Sequence, residues 1–151
     1  TMYLLHATSA ARLDFEKIIK KSQPIFESIE VFMTEQNFEL YKGRIILFEN
    51  IYENSDNVIF SPGIGSKEQI AIPDSYEILS KPIPGSMYFK TELLGNITNL
   101  RELVNYTNTV LEDRGLGVDK RLKPYLEIEV NPTHTINPSD WVTNYYIPII
   151  E

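Results

Sequence analysis

The sequence predicts an α+β fold in which duplicated β-α-β-β units form one extended antiparallel sheet, with helices packed on one face and a cleft between the halves. In each half of the 151 residues, a strand pattern, a helical pattern and two further strand patterns follow one another. Each half alone has too few strands to be independently stable, whereas the joined halves can bury both helices against one sheet. We therefore expect a single domain over residues 1–151, with pseudo-repeat halves at about 1–72 and 76–151.

The first half shows a change from strand to helix and back. Apolar residues recur at helical spacing from Leu13 to Met33, and Pro24 predicts either two short helices or one bent helix there. The last strand of this half is predicted to end at Pro62-Gly63. The predicted strands are 2–9, 44–52, 57–61 and, within the proline-rich connection 62–86, 76–80.

The second half repeats this order. A helix is predicted over 99–114, because Asn99 can cap its start, Glu102 follows three residues on, and Gly115 is placed to end it. A turn-rich loop is expected at 132–139. The predicted strands are 87–93, 125–130 and 144–149.

Composition limits the functions that the chain can have. Its net charge of −7 argues against direct binding to a nucleic-acid backbone, which requires clustered Lys and Arg. Solubility explains this charge most simply, and a field that attracts cationic ligands is the alternative. The absence of cysteine excludes disulfides and thiolate metal sites and favours a reducing compartment. With no membrane-length apolar run and no secretory signal, we expect a cytoplasmic protein without a membrane partner.

Two segments near the end of the chain form a recognisable pattern. Tyr-Leu-Glu-Ile-Glu-Val-Asn-Pro at 125–132 is followed by Thr-Asn-Tyr-Tyr-Ile-Pro-Ile at 143–149, and the upstream helix ends in Arg-Gly-Leu at 114–116. This pattern resembles the GyrI-like (gyrase-inhibitor-like) small-molecule-binding domain. The resemblance is clear from about residue 82 to the end and architectural before that. Asn144, in the closing strand, stands where the family has a glutamate. Glu129, in the strand before it, stands where an aromatic residue is usual.

The resemblance implies the effector-binding domain of a bacterial transcription regulator of the MerR or AraC type. In multidrug-sensing members, a buried glutamate and several aromatic residues hold flat cationic drugs. The resemblance also implies that DNA is contacted only through a separate domain outside this chain. It leaves room for a homodimer in the full-length regulator.

The residues that we expect to bind the ligand combine carboxylates with aromatic rings. A carboxylate framed by rings can hold an organic cation through charge pairing and cation–π attraction. The alternatives are an ordinary solvated strand face for the carboxylates and a packing role for the rings. The predicted ligand-binding residues are Glu127, Glu129, Tyr125, Trp141, Tyr145, Tyr146 and Tyr88.

Strand alternation orders some of these residues. Tyr125, Glu127 and Glu129 share one face of their strand. Tyr145 and Tyr146 must point to opposite faces, so at most one of them faces the cleft directly.

Glu49 is unexpected on a face that should be apolar. Either its strand carries a bulge, or Glu49 lies at the edge of the core, or it is a second carboxylate directed into the cleft. Neither His6 nor His134 belongs to a sequence motif with metal-binding spacing, so we expect no metal and no cofactor. The serines lack a nucleophile-elbow pattern, and no catalytic residue is assigned.

The sequence therefore predicts an effector-binding domain that takes a hydrophobic or cationic, drug-like small molecule. One alternative is a small-molecule hydrolase that uses a cleft glutamate to orient water. Another is a stand-alone gyrase-inhibitor-like module that binds a protein.

Overall fold

The computed structural model describes residues 2–39, 43–51, 56–94, 99–129 and 142–150. Within these ranges, the chain forms eight strands and two helices. Neither helix is long and apolar enough to cross a membrane. The elements are β1 (Met2–His6), β2 (Ser9–Arg12), α1 (Phe15–Glu35), β3 (Arg44–Phe48), β4 (Asn57–Ser66), β5 (Leu79–Ile83), β6 (Tyr88–Leu94), α2 (Leu100–Asp113), β7 (Tyr125–Ile128) and β8 (Val142–Pro148).

The eight strands form one sheet in the order β5-β1-β4-β3-β7-β8-β6, and β2 pairs with β4 beside this path. All the strand pairs are antiparallel. The order is symmetric about the central β3–β7 pair when β1, β4 and β3 are matched with β6, β8 and β7. In the first set α1 follows β1 and the short β2, and in the second set α2 follows β6 directly. The predicted α+β fold, with duplicated β-α-β-β units in one antiparallel sheet, is confirmed.

The sheet has two different faces. One face is covered by both helices, and side chains such as Phe26 and Phe32 of α1 and Leu103 of α2 share a single core cluster with the strands below. Burying a large apolar side chain in this way stabilises the fold by about 1.5–3 kcal/mol. The opposite face, which we call the cleft face, carries a smaller apolar cluster that includes Leu47 and Tyr125. Because the helices leave the cleft face uncovered, a ligand can reach the sheet from this side.

Helix α1 runs without interruption through Pro24. Asp14 caps its start by accepting hydrogen bonds from the amides of Glu16 and Lys17. Pro24 lies on the exposed side of the helix, where water can satisfy the carbonyl that loses its partner. Of the two predicted alternatives, two short helices is wrong for this reason, and residues 15–35 form one helix.

The second helix begins and ends as predicted. Asn99 accepts a hydrogen bond from the amide of Glu102 at 3.1 Å, and Gly115 adopts a left-handed φ of 70° just after the helix. Glycine adopts this conformation at no steric cost, so the helix stops there.

Strand β4 differs most from its prediction, because it continues through Pro62-Gly63 to Ser66. Pro62 is opposite Ile46 in the register, and Gly63 is opposite both His6 and Ile45. A Cβ atom at Gly63 would lie 2.3 Å from the carbonyl oxygen of Leu5, so this glycine permits the close approach of β1. Pro62-Gly63 therefore belongs to a central strand and does not form a turn.

Candidate ligand-binding site

The register of the closing strands brings the predicted aromatic and acidic residues together. Tyr125 of β7 is opposite Tyr146 of β8, and Glu127 is opposite Asn144. Residues that are directly opposite in an antiparallel pair project from the same face. Tyr125 belongs to the cleft-face cluster, so Glu127, which is two residues further on, also projects from the cleft face.

Three aromatic rings contact one another on this face. The rings of Tyr125 and Tyr146 are stacked, with centroids 4.8 Å apart. The ring of Tyr88 lies edge-on to both, at 5.5 Å from Tyr125 and 6.3 Å from Tyr146. We call this group the tyrosine cluster (Tyr88, Tyr125 and Tyr146).

The carboxylate of Glu127 borders the tyrosine cluster. The hydroxyl of Tyr146 donates to Oε1 of Glu127 over 3.4 Å. Burial, followed by the charge of Glu127, raises the pKa of Tyr146 to about 12. Burial is also the main cause that raises the pKa values of Tyr88 and Tyr125. All three hydroxyls therefore stay protonated at neutral pH and can donate hydrogen bonds.

A cation from the chain itself already contacts the cluster. The ammonium of Lys90 lies 5.9 Å from the ring centroid of Tyr146. Lys90 is exposed and is opposite Tyr146 in the β6–β8 register. The ring face of Tyr146 is thus arranged to attract positive charge.

Asn144 lies beside Glu127 and is completely buried. Among the residues that the structure describes, neither atom of its side-chain amide has a hydrogen-bond partner. Asn144 is also the position at which the resemblance leads one to expect a glutamate. The floor next to Glu127 is therefore polar and uncharged.

Tyr145 and Glu129 are the remaining predicted site residues that the structure describes, and the charge of Glu129 still acts on Tyr146. Tyr145 projects from the helix-covered face into the main core and is completely buried, so Tyr146 is the member of the pair that faces the cleft. Glu129 is exposed beyond the end of β7. Trp141 lies outside the described residues, as do the loop predicted at 132–139 and His134.

Glu49 of the first half reaches the same face. It follows the last residue of β3, and its Oε1 accepts hydrogen bonds from Ser61 Oγ at 3.0 Å and from the ammonium of Lys81. Burial opposes ionisation of Glu49, but Lys81 and Ser61 outweigh it and hold the pKa of this carboxyl below its ordinary value. Glu49 also lines a cavity of about 300 Å³ together with Tyr88. Of the three interpretations of Glu49, the structure favours a carboxylate on the cleft face.

Sequence reasoning missed several polar residues near this cavity. Lys81 reaches it through the pairing of β5 with β1, and Arg121 and Lys123 lie in the segment that leads into β7. The buried His6 is part of the same region, and burial, followed by the charge of Lys81, lowers its pKa to about 4. No sequence spacing links these residues, because only the strand order brings them together. The described residues contain no group of three or more His, Cys, Asp or Glu that could hold a metal ion.

The chain matches solved structures in its fold. No protein-family model matches it, and no curated protein matches it. The crystal structure of the EcmrR C-terminal domain superposes with a TM-score of 0.68 and 16% sequence identity, over 100% of this chain and 95% of that chain. SAV2435 bound to tetraphenylphosphonium gives a TM-score of 0.65 and 10% identity, over 99% of this chain and 88% of that chain.

A longer structure shows the same likeness. EcmrR in its cryo-EM complex with DNA superposes with a TM-score of 0.69 and 16% identity, over 99% of this chain. The match covers 53% of EcmrR, so the present chain spans about half the length of that protein. At these identities the comparisons establish the fold, and the GyrI-like architecture that the resemblance implies is confirmed.

Proposed function

We propose that this chain is the effector-binding domain of a bacterial transcription regulator and that it binds hydrophobic organic cations at the tyrosine cluster. The observation that carries the proposal is the contact of three tyrosine rings with one another beside the carboxylate of Glu127. A desolvated cation gains charge pairing from the carboxylate and about 0.5–2 kcal/mol from each ring face that it covers.

The position of Lys90 supports a cationic ligand. The stacked rings of Tyr125 and Tyr146 leave no gap between them, so the ligand lies against the outer face of the cluster. The ammonium of Lys90 occupies part of that space, and it is exposed enough to move away. An arriving cation therefore replaces a cation of the chain.

The signalling role rests on analogy of fold. SAV2435 has been captured with tetraphenylphosphonium, and EcmrR has been captured on DNA. By this analogy, the present chain belongs to a cytoplasmic regulator that responds to several drug-like compounds, and DNA is contacted by a separate domain in a homodimeric assembly. Tyr125 is opposite Leu47 at the β3–β7 junction of the two halves. A ligand that binds one arrangement of the halves more tightly than another can pass on a signal from this point.

Calorimetric titration with tetraphenylphosphonium tests the proposal. We expect the wild-type chain to bind it and Glu127→Gln to weaken binding about tenfold, which corresponds to about 1.4 kcal/mol. Triphenylphosphine oxide, an uncharged aryl compound, should lose little affinity in the same variant, because it gains nothing from the carboxylate.

Glu112→Gln is the matched control, because it removes the same charge from an exposed position on α2, on the other side of the sheet. Its affinity for the cation should match that of the wild type. Absence of binding by the wild type would refute the proposal. Equal losses of affinity in the two variants would show that Glu127 has no specific role in binding. Chemical turnover of a bound ligand would instead indicate the hydrolase.

A further inference from the structure

The cavity beside the tyrosine cluster differs from the cluster in charge. Its volume is about 300 Å³, and Tyr88 lines it and also belongs to the cluster. Lys81, Arg121 and Lys123 line it as well, Glu49 is the one carboxylate of its lining, and Asp119, outside the lining, pairs with Arg121. Three basic side chains around one cavity are notable in a chain whose net charge is −7.

The carboxylate in this cavity is already neutralised. Glu49 accepts hydrogen bonds from Lys81 and Ser61, and the carbonyl oxygen of Glu49 accepts a hydrogen bond from the ammonium of Lys123 at 2.7 Å. The cavity therefore offers little attraction to a cation.

The basic side chains keep donors beyond those that their described contacts use. An ammonium has three N–H groups, and the described hydrogen bonds of Lys81 and Lys123 use one each. Arg121 directs Nε and Nη2 to Asp119, while its Nη1 has no described partner. Arg121 and Lys123 are exposed, so they can turn toward a ligand without unfolding the chain.

We propose that this cavity is an anion subsite, formed by Lys81, Arg121 and Lys123, and that the preferred ligand of the cleft is amphoteric. Its hydrophobic cation lies against the tyrosine cluster, and a carboxylate on a short arm enters the cavity past Tyr88. The inference rests on the proposed function, because it places the second end of the same ligand. One end of the cleft thus carries the carboxylate of Glu127, and the other end carries the basic side chains of the subsite.

Two matched phosphonium compounds test the subsite. Carboxybutyl-triphenylphosphonium and its methyl ester share the same aryl cation and the same arm, and they differ in whether the arm ends in a charge. We expect the wild-type chain to bind the acid about tenfold more tightly than the ester, since hydrogen bonds to charged groups are among the stronger ones. Lys123→Gln and Arg121→Gln should each reduce this preference, and the double variant should abolish it.

Lys17→Gln controls for the loss of one positive charge, because Lys17 is exposed on α1 on the helix-covered side. It should keep the full preference for the acid. Equal affinity of the wild type for acid and ester, or a preference that survives the double variant, would overturn the anion subsite while leaving the proposed function intact. If the wild type bound none of the phosphonium compounds, including tetraphenylphosphonium, both proposals would fall together.

Discussion

Asn144 is a polar residue buried without a hydrogen-bond partner for its side-chain amide among the described residues. It is fully buried in the middle of β8, where Glu127 and Glu92 are its neighbours in the register. Its amide has no partner among the described residues, and a buried polar group without a partner costs about 1–3 kcal/mol. A glutamate at this position would place three carboxylates side by side across three strands, and like charges in such pairs are destabilising. The amide avoids that repulsion but leaves polar atoms unsatisfied.

Replacing this amide should therefore stabilise the chain. We expect Asn144→Leu, which has the same side-chain branching and is apolar, to raise the free energy of unfolding by about 1–3 kcal/mol. Asn144→Asp should lower it, because it adds a charge between Glu127 and Glu92. Urea denaturation of the three proteins measures both effects. A less stable Leu variant would show that the amide is hydrogen-bonded in solution.

At the scale of elements, local signals predicted the helices better than the strands. The cap at Asn99 and the glycine at 115 fix α2 within a residue of its prediction, because both signals act through neighbouring backbone groups. Pro62-Gly63 misled the prediction of β4, because proline and glycine usually mark turns. Here Gly63 permits the close approach of β1, which is a contact distant in sequence.

The candidate site divides in the same way. Alternation within one strand is sufficient to place Tyr125 and Glu127 on a common face. The choice between Tyr145 and Tyr146 needed the β7–β8 register. Lys81 joined the site through an edge strand that pairs with β1, and no local pattern could reveal that. Residues of one strand were therefore predictable, and residues that meet through strand order were not.

Gly63 tests whether the β1–β4 contact controls this half of the sheet. A Cβ atom there would lie 2.3 Å from the carbonyl oxygen of Leu5 and within 3 Å of the side chain of Leu4. Because a backbone oxygen cannot move aside alone, Gly63→Ala must separate the two strands. We expect a loss of about 3 kcal/mol or more in the free energy of unfolding, at the upper end of overpacking effects, measured by urea denaturation.

Gly115→Ala provides the comparison. A Cβ atom at Gly115 would meet nothing within 4 Å, but its φ of +70° is unfavourable for alanine. The expected loss is about 1–2 kcal/mol, from backbone conformation alone. Equal losses at the two glycines would mean that β1 and β4 separate easily.

At the scale of the whole molecule, the two halves share both the sheet and the core. The β3–β7 pair joins them through four paired positions, from Arg44↔Ile128 to Leu47↔Tyr125. The main core cluster contains residues of α1 and α2 together. Neither half can thus lose its structure without exposing apolar surface and strand edges of the other. We propose on this basis that the pseudo-repeat halves, at about 1–72 and 76–151, form a single cooperative domain.

Native-state hydrogen exchange can test this cooperation, because a substitution can be placed in one half and its effect measured in the other. In the wild-type chain, the slowest amides of β4 and β8 should exchange through one global opening with the same free energy. Gly63→Ala lies in the first half, yet it should lower the free energy of opening equally in β4 and in β8. Gly117→Ala, where a Cβ atom makes only an ordinary contact of 3.4 Å with Ile150, should change neither strand. If Gly63→Ala weakened protection in β4 and left β8 unchanged, the halves would be separate folding units, and a ligand bound at the tyrosine cluster could not report on the first half through the sheet.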